Sequence, residues 1–386
     1  MRNNRLFIDN AKWDEMNRVF LRNVIIKSLI LFLLANIIFA LFFPLESAGR
    51  ISLYNNLFPG RERFPFGENP AKAYNLSLYN LNAMFASHRI AGTPKAVNEF
   101  RVFVIGDSSV WGTLLKPEET LSGQLDTLAL TTSDGREMRF YNLGYPTVSL
   151  TKDVMLLEKA MRYHPDLIIW LVTLEAFPWD KQYTSPLVEN NIQTVQSSLE
   201  LHGVGLPLLS KQKEVAPVVL DNTIVFRRRE LADLIRLQFY GVLWAATEID
   251  QEYFENYPPA QRDFEIDDLG FHDFTAGQMA RDDLAFQVLD WGSKVAGATP
   301  VLVINEPMLI STGENSEFRY NFFYPKWAYD QYREWLREQS KSSRWSYLDN
   351  WNLIPEDEFT NSAIHLTPTG SRMLAEEIAQ TLLKYR

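Results

Sequence analysis

The chain has 386 residues, 46% of them hydrophobic, with 25 Phe, 16 Tyr and 10 Trp, so it holds material for a sizeable core and is not a disordered polymer. Its 38 basic and 48 acidic residues leave a formal charge of -10, which argues against a nucleic-acid binder. It has no cysteine, which excludes disulfides, thiolate metal sites and a cysteine nucleophile.

Near the N-terminus, Ser28 to Leu45 reads SLILFLLANIIFALFFPL, with Asn36 as its polar interior residue. With Val24 to Lys27 in front, a helix here reaches about 30 Å, the thickness of a bilayer core. Arg2, Arg5, Lys12, Arg18 and Arg22 precede the run. The positive-inside rule then puts residues 1–23 in the cytoplasm, makes 24–45 a single-pass anchor in the cytoplasmic membrane, and leaves the rest extracytoplasmic. A cleaved signal peptide, cut near Ser47-Ala48-Gly49, is the competing reading. Against it, the charged segment is long and the apolar run exceeds the usual length of about 7–15 residues.

Residues 46–98 are polar and aromatic and are expected to form a lead-in arm, weakly helical over LYNLNAMFASHRI. From Glu99 the pattern changes. Apolar runs at Val102 to Ile105, within MRFYNLG ending at Gly144, at Asp166 to Val172 and at Pro300 to Pro307 read as strands. Helical patterns fall after Pro117 and over Leu150 to Tyr163, Lys326 to Ser340 and Pro368 to Lys384. This alternation predicts an α/β domain over 99–386, built on a doubly wound parallel sheet of flavodoxin-like type. Residues 180–285 interrupt the rhythm and are expected to form an inserted helical cap. Within the cap, Arg227-Arg228-Arg229 precedes an apolar helix candidate, Leu231 to Thr247. Asp233 and Arg236 make that helix a poor second span and a better amphipathic element. The triplet reads as a solvated helix start, with a lipid-headgroup or anionic-glycan contact as the sharper alternative.

The residues with chemistry to offer sit at strand ends, where open α/β sheets bind ligands. Ser108 follows a strand and Gly106-Asp107, which exposes its hydroxyl and aims its own N–H outward. Gly144 ends the second strand, and its missing side chain would let its N–H approach a substrate oxygen. Thr173 to Ala176 end the third strand. Asn305 and Glu306 end the fourth, where Asn305 could donate to an oxyanion and Glu306 could orient a histidine or hold substrate. His365 lies just before the last helix. His88, His164, His202 and His272 have no ligand spacing, so no metal or other cofactor is expected. The aromatics between Phe318 and Trp335 suit core packing better than sugar stacking.

Together these residues resemble the SGNH (GDSL-type) hydrolase family over roughly 99–176 and 295–386. Gly106-Asp107-Ser108 is similar to the family's first block, Asn142-Leu143-Gly144 to its second, and His365 with Thr367 and Gly370 to its last. The resemblance implies Ser108 as nucleophile, His365 as general base, and the N–H groups of Ser108 and Gly144 in the oxyanion hole. Two departures stand out. The third block would carry an Asn donor where the sequence has Glu175, and the acid expected shortly before the histidine is replaced by Asn361 and Ser362.

The resulting expectation is O-acyl ester chemistry, hydrolysis or transfer, on a cell-envelope glycan or acylated polymer. By analogy with membrane-tethered proteins of this kind, a membrane-bound O-acyltransferase is a candidate partner. The alternatives are a catalytically silent partner or glycan-binding module, favoured by Glu175 and Asn361, and a lipase-like enzyme on membrane lipids.

Overall fold

Five strands build one sheet: β1 Glu99–Ile105, β2 Glu137–Asn142, β3 Leu167–Val172, β4 Val301–Asn305 and β5 Ser346–Asp349. They lie in the order β2-β1-β3-β4-β5, and every neighbouring pair is parallel. β1, β3 and β4 are buried along their whole length, which is why Val102 to Ile105, Leu167 to Val172 and Val301 to Ile304 read as apolar runs. The chain winds outward in both directions from β1 and β3, and the crevice at the carboxyl ends of these strands is the expected ligand position.

The computed structural model describes residues 4–43, 45–58, 60–67, 78, 80–206, 222–247, 249, 251, 253, 255–262 and 269–383. Parts of the expected arm (68–77) and cap (207–221) therefore lie outside the described residues.

Alternation along β1 divides the core in two. Phe103 and Ile105 meet residues of helices Leu150–Ala160, Gln287–Ala296 and Lys326–Ser340. Val102 and Val104 meet those of Leu121–Thr127 and Pro368–Leu382 on the opposite face. Each layer is thus covered and the sheet has no wet face. The aromatic run after Phe318 feeds the first core, with Tyr324, Tyr329 and Tyr332 fully buried.

Asn4–Phe42 is one 39-residue helix, and its part Asn17–Phe42 is long and apolar enough to cross a membrane. The helix ends at Phe42, short of the expected limit at residue 45.

Two expectations need correction. The segment 46–98 is not a free arm: Phe64, Met84, Phe85 and Ile90 are buried in the first core, and Arg63 is buried with them. The insertion is not only a cap either, because Val195 and Leu199 of helix Ile192–Leu201 are buried in the same core.

Candidate active site

Ser108 opens the short helix Ser108–Trp111 directly after β1. Gly106 makes that turn sterically feasible. Its φ is +156°, and a Cβ there would sit 2.7 Å from Val110 Cγ2 and 3.2 Å from the Leu171 carbonyl oxygen. Asp107 caps the helix, accepting from the Ser109 N–H through Oδ1 at 2.8 Å. Lys152, fully buried, donates to the Gly106 and Tyr145 carbonyls at 2.7 and 3.0 Å and pairs with Asp153. Asp153 also accepts from the Trp170 indole at 3.0 Å.

Opposite this turn, the chain after Phe359 returns His365 to the same crevice. His365 Nε2 lies 2.8 Å from Ser108 Oγ, although the residues are 257 positions apart. Its other nitrogen, Nδ1, lies 2.8 Å from Asn361 Oδ1. An amide oxygen only accepts, so Nδ1 carries the proton and Nε2 presents its lone pair to the serine hydroxyl. Burial without a facing carboxylate lowers the His365 pKa to about 4, so the imidazole is neutral near pH 7 and available as a base.

The remaining candidates are placed differently from expectation. Asn305 is fully buried and spent: its Nδ2 donates to Asp349 Oδ1 at 2.9 Å, and its Oδ1 accepts from the Tyr329 and Tyr332 hydroxyls at 3.2 Å each. It ties β4 to β5 and offers no donor to the crevice. Glu306 does not orient His365. Its carboxyl accepts the Ser109 hydroxyl, and Oε1 has no hydrogen-bond partner among the described residues. Burial, then the nearby Asp107 charge, pushes the Glu306 pKa well above the ordinary carboxyl range. Asp107 is raised too, by burial against the opposing pull of the Ser109 N–H and Lys152.

Gly144 is also a correction. Its N–H donates to Asn142 Oδ1 at 3.0 Å, and the space a Cβ would need is filled by Trp111 N at 2.5 Å. The glycine admits the helix Ser108–Trp111 rather than a substrate.

Glu175 does not stand as a bare carboxylate. Lys181 Nζ holds Oε1 at 2.9 Å and His272 Nε2 holds Oε2 at 3.1 Å. Burial would raise its pKa, but these two partners outweigh that and bring it below the ordinary value. The pairing of His272 with Glu175 has no signature in the sequence because 97 positions separate them. His88 is a core residue: its ring contacts the Glu62 and Asn142 carbonyl oxygens at 2.9 Å, and burial lowers its pKa to about 3. No cluster of metal-ligating side chains occurs among the described residues.

A cavity of about 710 Å³ lies elsewhere, lined by Tyr54, Arg61, Glu62, Arg89, Lys116 and Trp244 among others. It does not include Ser108 or His365.

The parallel five-stranded sheet with helices on both faces fits the SGNH-type α/β fold. No family model and no curated protein matches the chain. Among solved structures it is similar to the native aryl esterase of M. smegmatis, at 12% identity and a TM-score of 0.33, covering 74% of this chain and 99% of that one. A carbohydrate acetylesterase family member from Sinorhizobium meliloti is similar at 11% identity and TM-score 0.31, covering 74% and 98%. A Desulfitobacterium hafniense protein described as lipolytic and of the G-D-S-L family gives 10% and 0.31, covering 73% and 99%.

Proposed function

We propose that this chain is an extracytoplasmic, membrane-anchored serine esterase or O-acyltransferase acting on acyl esters of a cell-envelope glycan or polymer. The observation that carries the reading is the 2.8 Å approach of His365 Nε2 to Ser108 Oγ, with Asn361 fixing the tautomer on the far side of the ring. His365 takes the Ser108 proton as Oγ attacks the ester carbonyl. The Ser108 N–H, in a first helical turn that has no intrahelical partner for it, is the donor available to the oxyanion. Collapse expels the alcohol, which leaves with the proton from the imidazolium, and an acyl-serine remains. Water or an acceptor hydroxyl then attacks with His365 again as base, releasing the acid or forming a new ester. A membrane-bound O-acyltransferase is the partner class suited to the transfer variant.

A second reading is a silent binding module. It is favoured by the engaged Gly144 N–H and by Asn361 standing where a carboxylate would stabilise the imidazolium. A fluorophosphonate probe on the detergent-solubilised full chain separates the two. The enzyme reading expects labelling that disappears in Ser108→Ala and falls steeply in His365→Ala. Absence of labelling in the wild-type chain from pH 5 to 9 would establish the silent module instead.

A further inference from the structure

Helix Arg228–Thr247 buries Asp233, Leu237 and Gly241 and turns an apolar stripe outward. Ile235 is 60% exposed, Phe239 71%, Val242 45% and Leu243 56%. Their spacing of i, i+4, i+7 and i+8 makes one continuous face, the inverse of an ordinary surface helix, whose outer face is polar. The stripe continues onto helix Leu53–Leu57, where Leu53 and Leu57 are also exposed. Gln238 staples the two elements, accepting from the Leu53 N–H at 2.8 Å and donating to the Ile51 carbonyl at 2.9 Å.

The segment leading into this helix is anchored to the membrane-length helix. The Val225 N–H donates to Asn36 Oδ1 at 3.2 Å, while Asn36 Nδ2 donates to the Phe32 carbonyl at 2.9 Å. Asn36 lies six residues before the helix end at Phe42, about 9 Å along the axis. Val225 and the exposed Phe226 therefore sit beside the apolar span, below its end. The bond also accounts for a polar residue in that run, since an amide in hydrocarbon needs a partner. Arg228 and Arg229 are exposed at this same end, where long cationic side chains can snorkel to lipid phosphates.

We propose that helix Arg228–Thr247, with the segment Ile51–Phe58, is a lipid-seated collar, its stripe lying in the headgroup and acyl boundary of the leaflet where the first helix ends. The inference rests on reading Asn17–Phe42 as a membrane span. The bilayer is the occupant because the chain leading into this helix bonds that span at Asn36 through Val225, and the exposed Phe226 beside it carries the apolar surface toward the helix. The chain past this helix is also tied to the segment that follows helix Ser108–Trp111. Gln251, just past the helix, donates to the Gly112 and Leu115 carbonyls at 3.2 and 2.9 Å and accepts from the Leu114 N–H at 3.2 Å. The domain is then held against the surface at a fixed height rather than on a free tether.

The native absence of cysteine makes a direct test available. Single substitutions Phe226→Cys, Ile235→Cys, Phe239→Cys and Leu243→Cys are labelled with a nitroxide in the full chain, in nanodiscs of phosphatidylcholine and phosphatidylglycerol. Leu33→Cys in the span and Val97→Cys at a fully exposed site are the references. Labels on the stripe are expected to collide with oxygen severalfold more than with a water-soluble nickel chelate, falling between the two references. Four separate sites guard against one substitution disturbing the fold. If Leu33 reads as lipid and the stripe reads like Val97, the collar is overturned and the span stands. If Leu33 is itself water-accessible, both fall. Shielding of the stripe from both reagents would assign it to a protein partner or second copy and overturn the lipid assignment.

Discussion

Asn361 decides how strong a base His365 can be. Its amide fixes the ring through Nδ1 but brings no charge to stabilise the imidazolium. Burial alone sets the His365 pKa, at about 4. The acid limb of kcat/KM is therefore expected near that value rather than near the ordinary histidine value of about 6.5. Asn361→Asp places a carboxylate at the same atom, so the limb should move upward by at least about one unit and the rate at pH 7 rise about 10-fold or more. A pH–rate profile on a soluble ester checks both, and an unmoved limb would mean that Asn361 does not sit at the ring in solution. Glu306 behaves differently: burial, then the nearby Asp107, pushes its pKa well above the ordinary carboxyl range. Such a group favours the folded state most below the unfolded carboxyl pKa and loses that contribution as pH rises through the folded value. Glu306→Gln should keep the Ser109 contact, cost less than about 1 kcal/mol and flatten the decline with pH, whereas Glu306→Ala should cost about 2–3 kcal/mol. Urea unfolding across pH 5 to 9 distinguishes the two variants.

At the scale of elements, the serine turn is wedged between β1, the end of β2 and helix Leu150–Ala160. Lys152 on that helix holds two carbonyls of the wedge and offsets the buried Asp153, whose pKa burial raises to about 6. Lys152→Met removes the cation beside that buried carboxylate, leaving it the Trp170 indole, and leaves the Gly106 and Tyr145 carbonyls only their backbone donors, and a loss of about 3–5 kcal/mol is expected in chemical denaturation. Gly144→Ala should force apart β2 and helix Ser108–Trp111, since the new methyl would meet Trp111 N at 2.5 Å. These elements were legible to different degrees. β1, β3 and β4 could be read because complete burial leaves an apolar run. β5, SYLD, could not, because an edge strand with exposed and half-buried positions carries no such run. The segment before β1 was misread because Phe64, Met84 and Phe85 are scattered among polar residues, and only tertiary contact shows them as core. Ser108 and His365 were readable from residue type at strand ends. The partners of Glu175, Glu306 and Asn305 were not, since each bond joins segments with no shared local pattern.

For the whole molecule, reading Asn17–Phe42 as a membrane span raises the question of which side of that membrane the sheet domain occupies. Before Ser28 the chain carries six basic residues, Arg2, Arg5, Lys12, Arg18, Arg22 and Lys27, against three acidic ones, Asp9, Asp14 and Glu15. The part beyond the first helix is therefore more acidic than the net -10 of the full chain. Basic residues beside a span resist translocation while a folded acidic domain does not, so the expected orientation is N-terminus inside. That orientation is also the one the proposed function requires. The single-cysteine variant Val97→Cys reports on it directly, because that position is fully exposed and lies beyond the span. A membrane-impermeant maleimide should label it in intact cells to the same extent as after permeabilisation, while Arg18→Cys should react only once the membrane is opened. Protection of Val97→Cys in intact cells would put the Ser108–His365 pair on the cytoplasmic side and remove envelope polymers as substrates, whatever its chemistry.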